Sequence, residues 1–566
     1  MKCHRFFVLG LGITVSLCGC GAAAISSQAA GTDAETQDTA QTDAASTDGS
    51  VDASGCSVTD PHVTGTVVTE SGLVVGANSG EAWSWLGIPY AAPPVGAARW
   101  KDPQAHACWD TRDAKVFGAK CLQKNPTTGA IEGDEDCLIL NIFAPPVGVQ
   151  KPMPVLVFIH GGGNIQGSTS ETILGGKPLY AGQHLAKGAS ALVVTLQYRL
   201  GPLGWLSLPE LTKERGGPSG NQGLRDQLYA LGWIQRNIAR FGGDSYRVLL
   251  FGESAGAVDT CALVASPLAK GLFSAALMES GGCSQPKQDA AESAQSARVD
   301  QGSCGKAADR LACLRAADAT KLLAEMPGSI SIGDASFAPD PGKYGPVVDG
   351  GVLPESPMDA LAAGHANFVP FAVGTNSEEV AKLLTVSVST AAELQAALAS
   401  GFGTLGADAV SKIQAVYAAS AYASPQAALV AAYSDVRFVC PARAIARAAV
   451  KGGNSNVFRY FFTRQAPGAK GPIPASHGIE LPYIFGSIAD IPGYTLSGTD
   501  GNLVAAMQGY WGNLARGGPL TASGAPTWDP YIVANDNSLE LGQTIAMKLG
   551  IHTAACDLWS TLLPGY

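Results

Sequence analysis

Five short, strongly apolar runs punctuate the chain: Val155–Ile159, Ala191–Leu196, Val248–Phe251, Phe371–Gly374 and Val457–Phe462. A strand with one face in water alternates apolar and polar residues. A run that is apolar on both faces fits a strand of a parallel sheet covered by helices on each side. Val63–Val75 reads as β-branched strands, and Trp83–Tyr90 as a strand running into a turn. Amphipathic stretches at helical spacing, such as Gln222–Arg240, lie between the runs. The pattern predicts an α/β fold, with one large twisted, mostly parallel central sheet flanked by helices and small antiparallel strands near the N-terminus.

The first residues follow a different pattern. Phe6–Leu17 is apolar and follows Lys2 and Arg5. It is too short to span a bilayer and suits the core of a signal peptide. Leu17-Cys18-Gly19-Cys20 resembles the lipobox of bacterial lipoproteins, which would put cleavage before Cys20 and lipid on it. Cleavage after Ala24, as in an ordinary signal peptide, is the alternative. Gly21–Gly55 holds six acids, no Lys or Arg and no aromatic residue, so little in it can offset the entropy of ordering. The expected organisation is a signal peptide over 1–19, a lipidated Cys20 with a disordered tether over 20–55, and one folded domain over 56–566. The product is exported, either anchored to a membrane through lipid on Cys20 or, without lipid, secreted or periplasmic.

Composition narrows the choice further. Hydrophobic residues make up 46% of the 566, enough for a large core, and charged residues only 15%. The net charge is -10 and no basic stretch stands out, so nucleic-acid binding has no electrostatic footprint. Thirteen cysteines are more than a typical cytosolic enzyme carries and point to an oxidising compartment.

Candidate chemistry sits at the ends of the predicted strands. Val248–Phe251 runs into Gly252-Glu253-Ser254-Ala255-Gly256 and then a helical stretch. This is G-x-S-x-G in the strand–turn–helix setting that lifts a serine hydroxyl above a sheet edge. His160-Gly161-Gly162-Gly163 directly follows Val155–Ile159 and can offer backbone N–H groups to a developing oxyanion, with Gly162, Gly163 and Ala255 as the donors. The chain order nucleophile, acid, histidine leaves His365, His477 and His552 as bases. His477 lies in a loop after the last long strand and is the best placed. Gly374-Thr375-Asn376-Ser377-Glu378-Glu379 follows the fourth run, and position alone does not separate Glu379 from Glu378. No Cys/His cluster has the spacing of zinc ligands, and the chemistry needs no metal or organic cofactor.

These motifs, in this order, resemble the type-B carboxylesterase and cholinesterase-like branch of the α/β-hydrolases. The resemblance covers nearly all of Val63–Pro564. It is carried by Glu135–Asn141, the His160 glycine loop, Gly220–Gln227, Phe241–Asp244 with the Ser254 motif, and the His477 loop through Gly486. It implies a serine carboxylesterase acting on a small carboxylic ester through an acyl-enzyme, with Glu379 as the acid, and structural ion pairs Arg99–Glu135 and Arg199–Asp226. It also implies disulfides Cys121–Cys137, Cys304–Cys313 and Cys440–Cys556. With Cys3 and Cys18 removed and Cys20 lipidated, Cys56, Cys108, Cys261 and Cys283 remain, and shorter loops favour Cys56–Cys108 and Cys261–Cys283. The chain departs from its relatives in two places. The loop Leu122–Asp136 has no aromatic residue to bind a quaternary ammonium, which argues against choline esters. Asn164 stands where Phe is common, which suggests a more polar pocket. The competing readings are a catalytically idle binding or adhesion member of the same fold, and a lipase-like or thioester hydrolase.

Overall fold

The computed structural model describes Cys56 and residues 63–563, apart from 147–151, 173–175, 331–339, 468–470, 492, 493 and 495. The expected signal peptide, Cys20 and tether lie outside the described residues. The central sheet has eleven strands. In spatial order they are Ile545–Leu549, Asn537–Leu541, Val457–Phe462, Phe371–Asn376, Ala275–Glu279, Gly243–Glu253, Met153–Ile159, Leu192–Leu196, Ile139–Ala144, Trp83–Pro89 and Ala77–Asn78. Every neighbouring pair from Asn537–Leu541 through Leu192–Leu196 is parallel. The outer pairs are antiparallel. A small separate sheet pairs Thr66–Thr69 with Gly72–Val75 antiparallel, as expected, but adds Thr111–Asp113 in parallel.

Helices cover both faces, which is why the central strands are mostly apolar on both sides. Val155, Val157 and Ile159 point into one core, with the helices Gln222–Asn237 and Ala255–Ala265. Leu156 and Phe158 point into the other, with Gly498–Arg516 and Gln183–Ala189. All five residues are fully buried, each contributing about 1.5–3 kcal/mol of transfer free energy. A third cluster forms around the helices Ala391–Phe402, Ala407–Val416, Pro425–Ser434 and Thr553–Leu562.

Five disulfides staple the domain: Cys56–Cys108, Cys121–Cys137, Cys261–Cys283, Cys304–Cys313 and Cys440–Cys556. Arg99 grips Glu135 with two hydrogen bonds, at 2.8 and 2.7 Å, and also donates to the carbonyls of Leu314 and Ala317. Arg199 grips the buried Asp226 in the same way, at 2.7 and 2.6 Å. Among the described residues no helix is long and apolar enough to cross a membrane.

Candidate active site

Five adjacent parallel strands end on one edge of the sheet: Met153–Ile159, Gly243–Glu253, Ala275–Glu279, Phe371–Asn376 and Val457–Phe462. They hand over in turn to the His160 glycine loop, Ser254, Ser280, Glu379 and, after a longer connection, His477. Carboxyl ends of strands are where open α/β sheets bind ligands.

Ser254 sits at φ +56°, ψ -120°, a strained conformation for a residue with a side chain. Its N–H donates to the Glu279 carbonyl at 2.9 Å, and its own carbonyl accepts from Ala257 and Val258. The helix Ala255–Ala265 begins at the next residue. Only glycine fits on either side of the turn. A Cβ on Gly252 would lie 2.4 Å from the Gly256 carbonyl oxygen, and one on Gly256 would lie 2.1 Å from that of Ile159. Gly162 and Gly163 adopt φ +107° and +66°. Among the described residues no acceptor takes either N–H, and Ala255, as the first residue of its helix, has an N–H without an intrahelical partner. His160 stacks on Tyr198 with ring centres 4.6 Å apart. Burial lowers its pKa to about 4, which keeps the ring neutral.

His477 Nδ1 lies 2.7 Å from Oε2 of the fully buried Glu379. Glu379 Oε1 accepts from the Ser280 hydroxyl at 2.5 Å and from Asn376 N–H at 2.8 Å. Geometry therefore separates the neighbouring glutamates: Glu378 instead accepts from Gln465 and from the N–H of Ala475. The other two candidate bases lie elsewhere, with His365 on Glu355 and His552 on Asp435, each at 2.7 Å. Ser254 and His477 share no hydrogen bond here. His477 Nε2 is 3.2 Å from Glu253 Oε1.

Three further acids surround this pair. Glu253 and Glu279 end their strands, and Glu480 follows His477; all are buried. Burial, opposed by His477 and aided by Glu379, raises Glu253 to about 7. Burial, with the charges of Glu253 and Glu379, raises Glu480 to about 8. Burial also raises Glu279, whose Oε1 accepts from Trp511 at 2.9 Å. His477 moves the other way from what burial alone would do. The Glu253 charge and the Glu379 hydrogen bond outweigh burial and raise it above its ordinary value. Sequence reasoning singled out neither Ser280 nor these acids, because a lone Glu or Ser carries no spacing signal.

A cavity of about 350 Å³ opens beside Ser254, walled by Gly163, Asn164, Phe438 and the loop Ser280–Pro286. The charged side chains of Asp340, Lys343 and Arg437 line it as well. Asn164 belongs to the wall, but its amide is engaged within the protein, by Asp259 and Tyr198. Among the described residues no group of three or more His, Cys, Asp or Glu side chains is arranged to hold a metal ion.

Many known proteins are similar to this chain. The model of the carboxylesterase family matches residues 63–559. The chain is 37% identical over 426 residues to the fumonisin B1 esterase of Sphingopyxis macrogoltabida, covering 74% of each chain. It is 33% identical over 506 residues to the para-nitrobenzyl esterase of Bacillus subtilis, covering 85% of this chain and 96% of that one. Among solved structures, a thermophilic para-nitrobenzyl esterase superposes with a TM-score of 0.73 at 31% identity, covering 88% of this chain and all of that one.

Proposed function

The chain belongs to the carboxylesterase family and is a carboxylic ester hydrolase, and from that premise we propose that it works through an acyl-enzyme on Ser254. His477 Nε2 takes the proton of the Ser254 hydroxyl as Oγ attacks the ester carbonyl. Negative charge gathers on the carbonyl oxygen, which accepts from the N–H groups of Gly162, Gly163 and Ala255. The tetrahedral intermediate collapses, the C–O bond to the alcohol breaks, and His477 returns its proton to the departing oxygen. Water then repeats the sequence, releasing the acid and restoring Ser254. Glu379 holds the imidazole in the tautomer with Nδ1 protonated and stabilises the imidazolium as it forms.

The observation that carries this reading is the convergence of His477 on Glu379, at 2.7 Å, beside the Ser254 turn. The relatives are esterases by name, and small carboxylic esters are the proposed substrates here. Export and a lipid anchor at Cys20 complete the proposal. The five disulfides support maturation in an oxidising compartment. The decisive experiment assays the purified chain and Ser254→Ala on 4-nitrophenyl esters of increasing acyl length. Loss of at least roughly 10⁴-fold in kcat/KM is expected, whereas a rate unchanged by the substitution refutes the mechanism.

A further inference from the structure

Asp259 is a buried carboxyl that the mechanism above does not use. It lies on the helix Ala255–Ala265, one turn beyond Ala255, with no exposed surface. Its Oδ1 accepts from Asn164 Nδ2 at 3.0 Å, and its Oδ2 accepts from Gln227 Nε2 at 2.6 Å. Asn164 Oδ1 lies 3.0 Å from the Tyr198 hydroxyl, which is itself 2.9 Å from the His160 carbonyl. The Asn164 carbonyl accepts from the N–H of Gly201 at 2.7 Å. Asn164 holds φ +57°, a left-handed conformation that Asn tolerates better than most residues.

The placement of this network gives it a role. Gly162 and Gly163 hang from the strand Met153–Ile159, and Ala255 from the strand Gly243–Glu253. An oxyanion hole made from both is only as good as the spacing between the two segments. Asn164 is the residue after Gly163, and Asp259 is on the helix that Ala255 begins, so the 3.0 Å hydrogen bond between them fastens one half of the donor set to the other. Both hydrogen-bond partners of Asp259 are neutral amides. Burial raises it to about 7 against the pull of those two bonds, and no cation contributes. An acid buried this way stabilises the core less than an apolar residue would.

We propose that Asp259 and Asn164 form a clamp that sets the spacing of the oxyanion donors Gly162 and Gly163 relative to Ala255. Both are positioning residues, and the clamp rests on the serine-esterase reading above. Loosening it displaces donors from the place where charge develops. A shift of about 1 Å costs roughly 100-fold in rate, and full loss of one donor roughly 10²–10³-fold.

The test uses the full chain with 4-nitrophenyl butyrate, together with the inhibition constant of a trifluoromethyl ketone, whose serine adduct carries the oxyanion. Asp259→Ala and Asn164→Ala should each lower kcat by roughly 10–100-fold, leave KM within about threefold, and weaken the ketone in proportion. The double variant should be no worse than the more severe single one, because both remove one link. Asn164→Asp alone sets two acids against each other and should be impaired. Adding Asp259→Asn restores one donor facing one acceptor and should recover most of the loss. This pair of variants also decides the matter if an alanine variant does not fold. Alanine variants that raise KM while keeping kcat, losses that multiply in the double, or no recovery in the exchanged pair would each overturn the clamp. If Ser254→Ala abolishes activity while these variants keep kcat, the clamp alone fails; if Ser254→Ala keeps its rate, the serine reading fails.

Discussion

Two buried charge clusters stand on opposite terms in this molecule. Near the C-terminus, Asp536 receives Arg443 Nε at 2.7 Å, Arg459 Nη1 at 2.9 Å, the Tyr531 hydroxyl at 2.8 Å and the Thr553 hydroxyl at 2.6 Å. Burial alone would raise its pKa; Thr553, Arg459, Tyr531 and Arg443 outweigh burial and hold it below the usual carboxylate range. At the sheet edge, the buried acids Glu253, Glu379 and Glu480 share a single imidazole, Glu279 lies beside Glu253 and Glu480, and three of the four are pushed upward. The cost of burial is similar in kind, but the supply of donors is not. Where donors saturate an acid its charge is locked and serves structure. Where they are scarce, protons can move near neutral pH, which acid–base catalysis requires.

The sharpest test of that contrast is at the acid that orients His477. Glu379→Gln should lower kcat by roughly 10⁴-fold, with little change in thermal stability, while Glu378→Gln should stay near wild type; equal losses in the two would erase the distinction. In the structural cluster the outcome should invert. Asp536→Asn should cost about 3–5 kcal/mol of stability by leaving buried guanidinium groups underpaired, read from the denaturant midpoint, with kcat per folded molecule retained. A kcat that fell while stability held would break the comparison. The smallest expected effect is a shift in pH. The Glu253 charge raises the His477 pKa, and His477 is a base only when neutral. Glu253→Gln should therefore move the acid limb of the kcat/KM profile to lower pH, by roughly one unit or more. A limb that stayed or moved upward would remove Glu253 from the set of groups that tune His477.

The strands that were plainest in the sequence are those buried on both faces, since nothing in Val155–Ile159 or Val248–Phe251 faces water. Ala275–Glu279 carries the same burial but is built from two alanines, Leu, Met and Glu, which favour a helix locally; its two flanking strands override that preference. The hairpin of Asn537–Leu541 and Ile545–Leu549 at the sheet edge mixes polar and apolar residues and gives a weak signal. At the candidate site, the serine and the glycine loop were legible because each follows a strand at a fixed offset. Position alone did not separate Glu379 from Glu378, which are neighbours in the turn after Phe371–Asn376; only the family resemblance pointed to Glu379. Asp259 did leave a trace, as the lone charged residue in the mostly apolar run Ala255–Ala265. That trace says the acid is buried without saying what it holds.

The five segments that meet at the sheet edge are spread from His160 to His477, and the strands that carry them pair only with their neighbours in the sheet. A chain stalled before the Val457–Phe462 strand carries Ser254 without its proposed base, and a cut between Glu379 and His477 separates that base from its proposed acid. On the proposed mechanism the site is complete only when the Phe371–Asn376 and Val457–Phe462 strands are paired and Glu379 meets His477. Until then the chain holds its reactive groups apart.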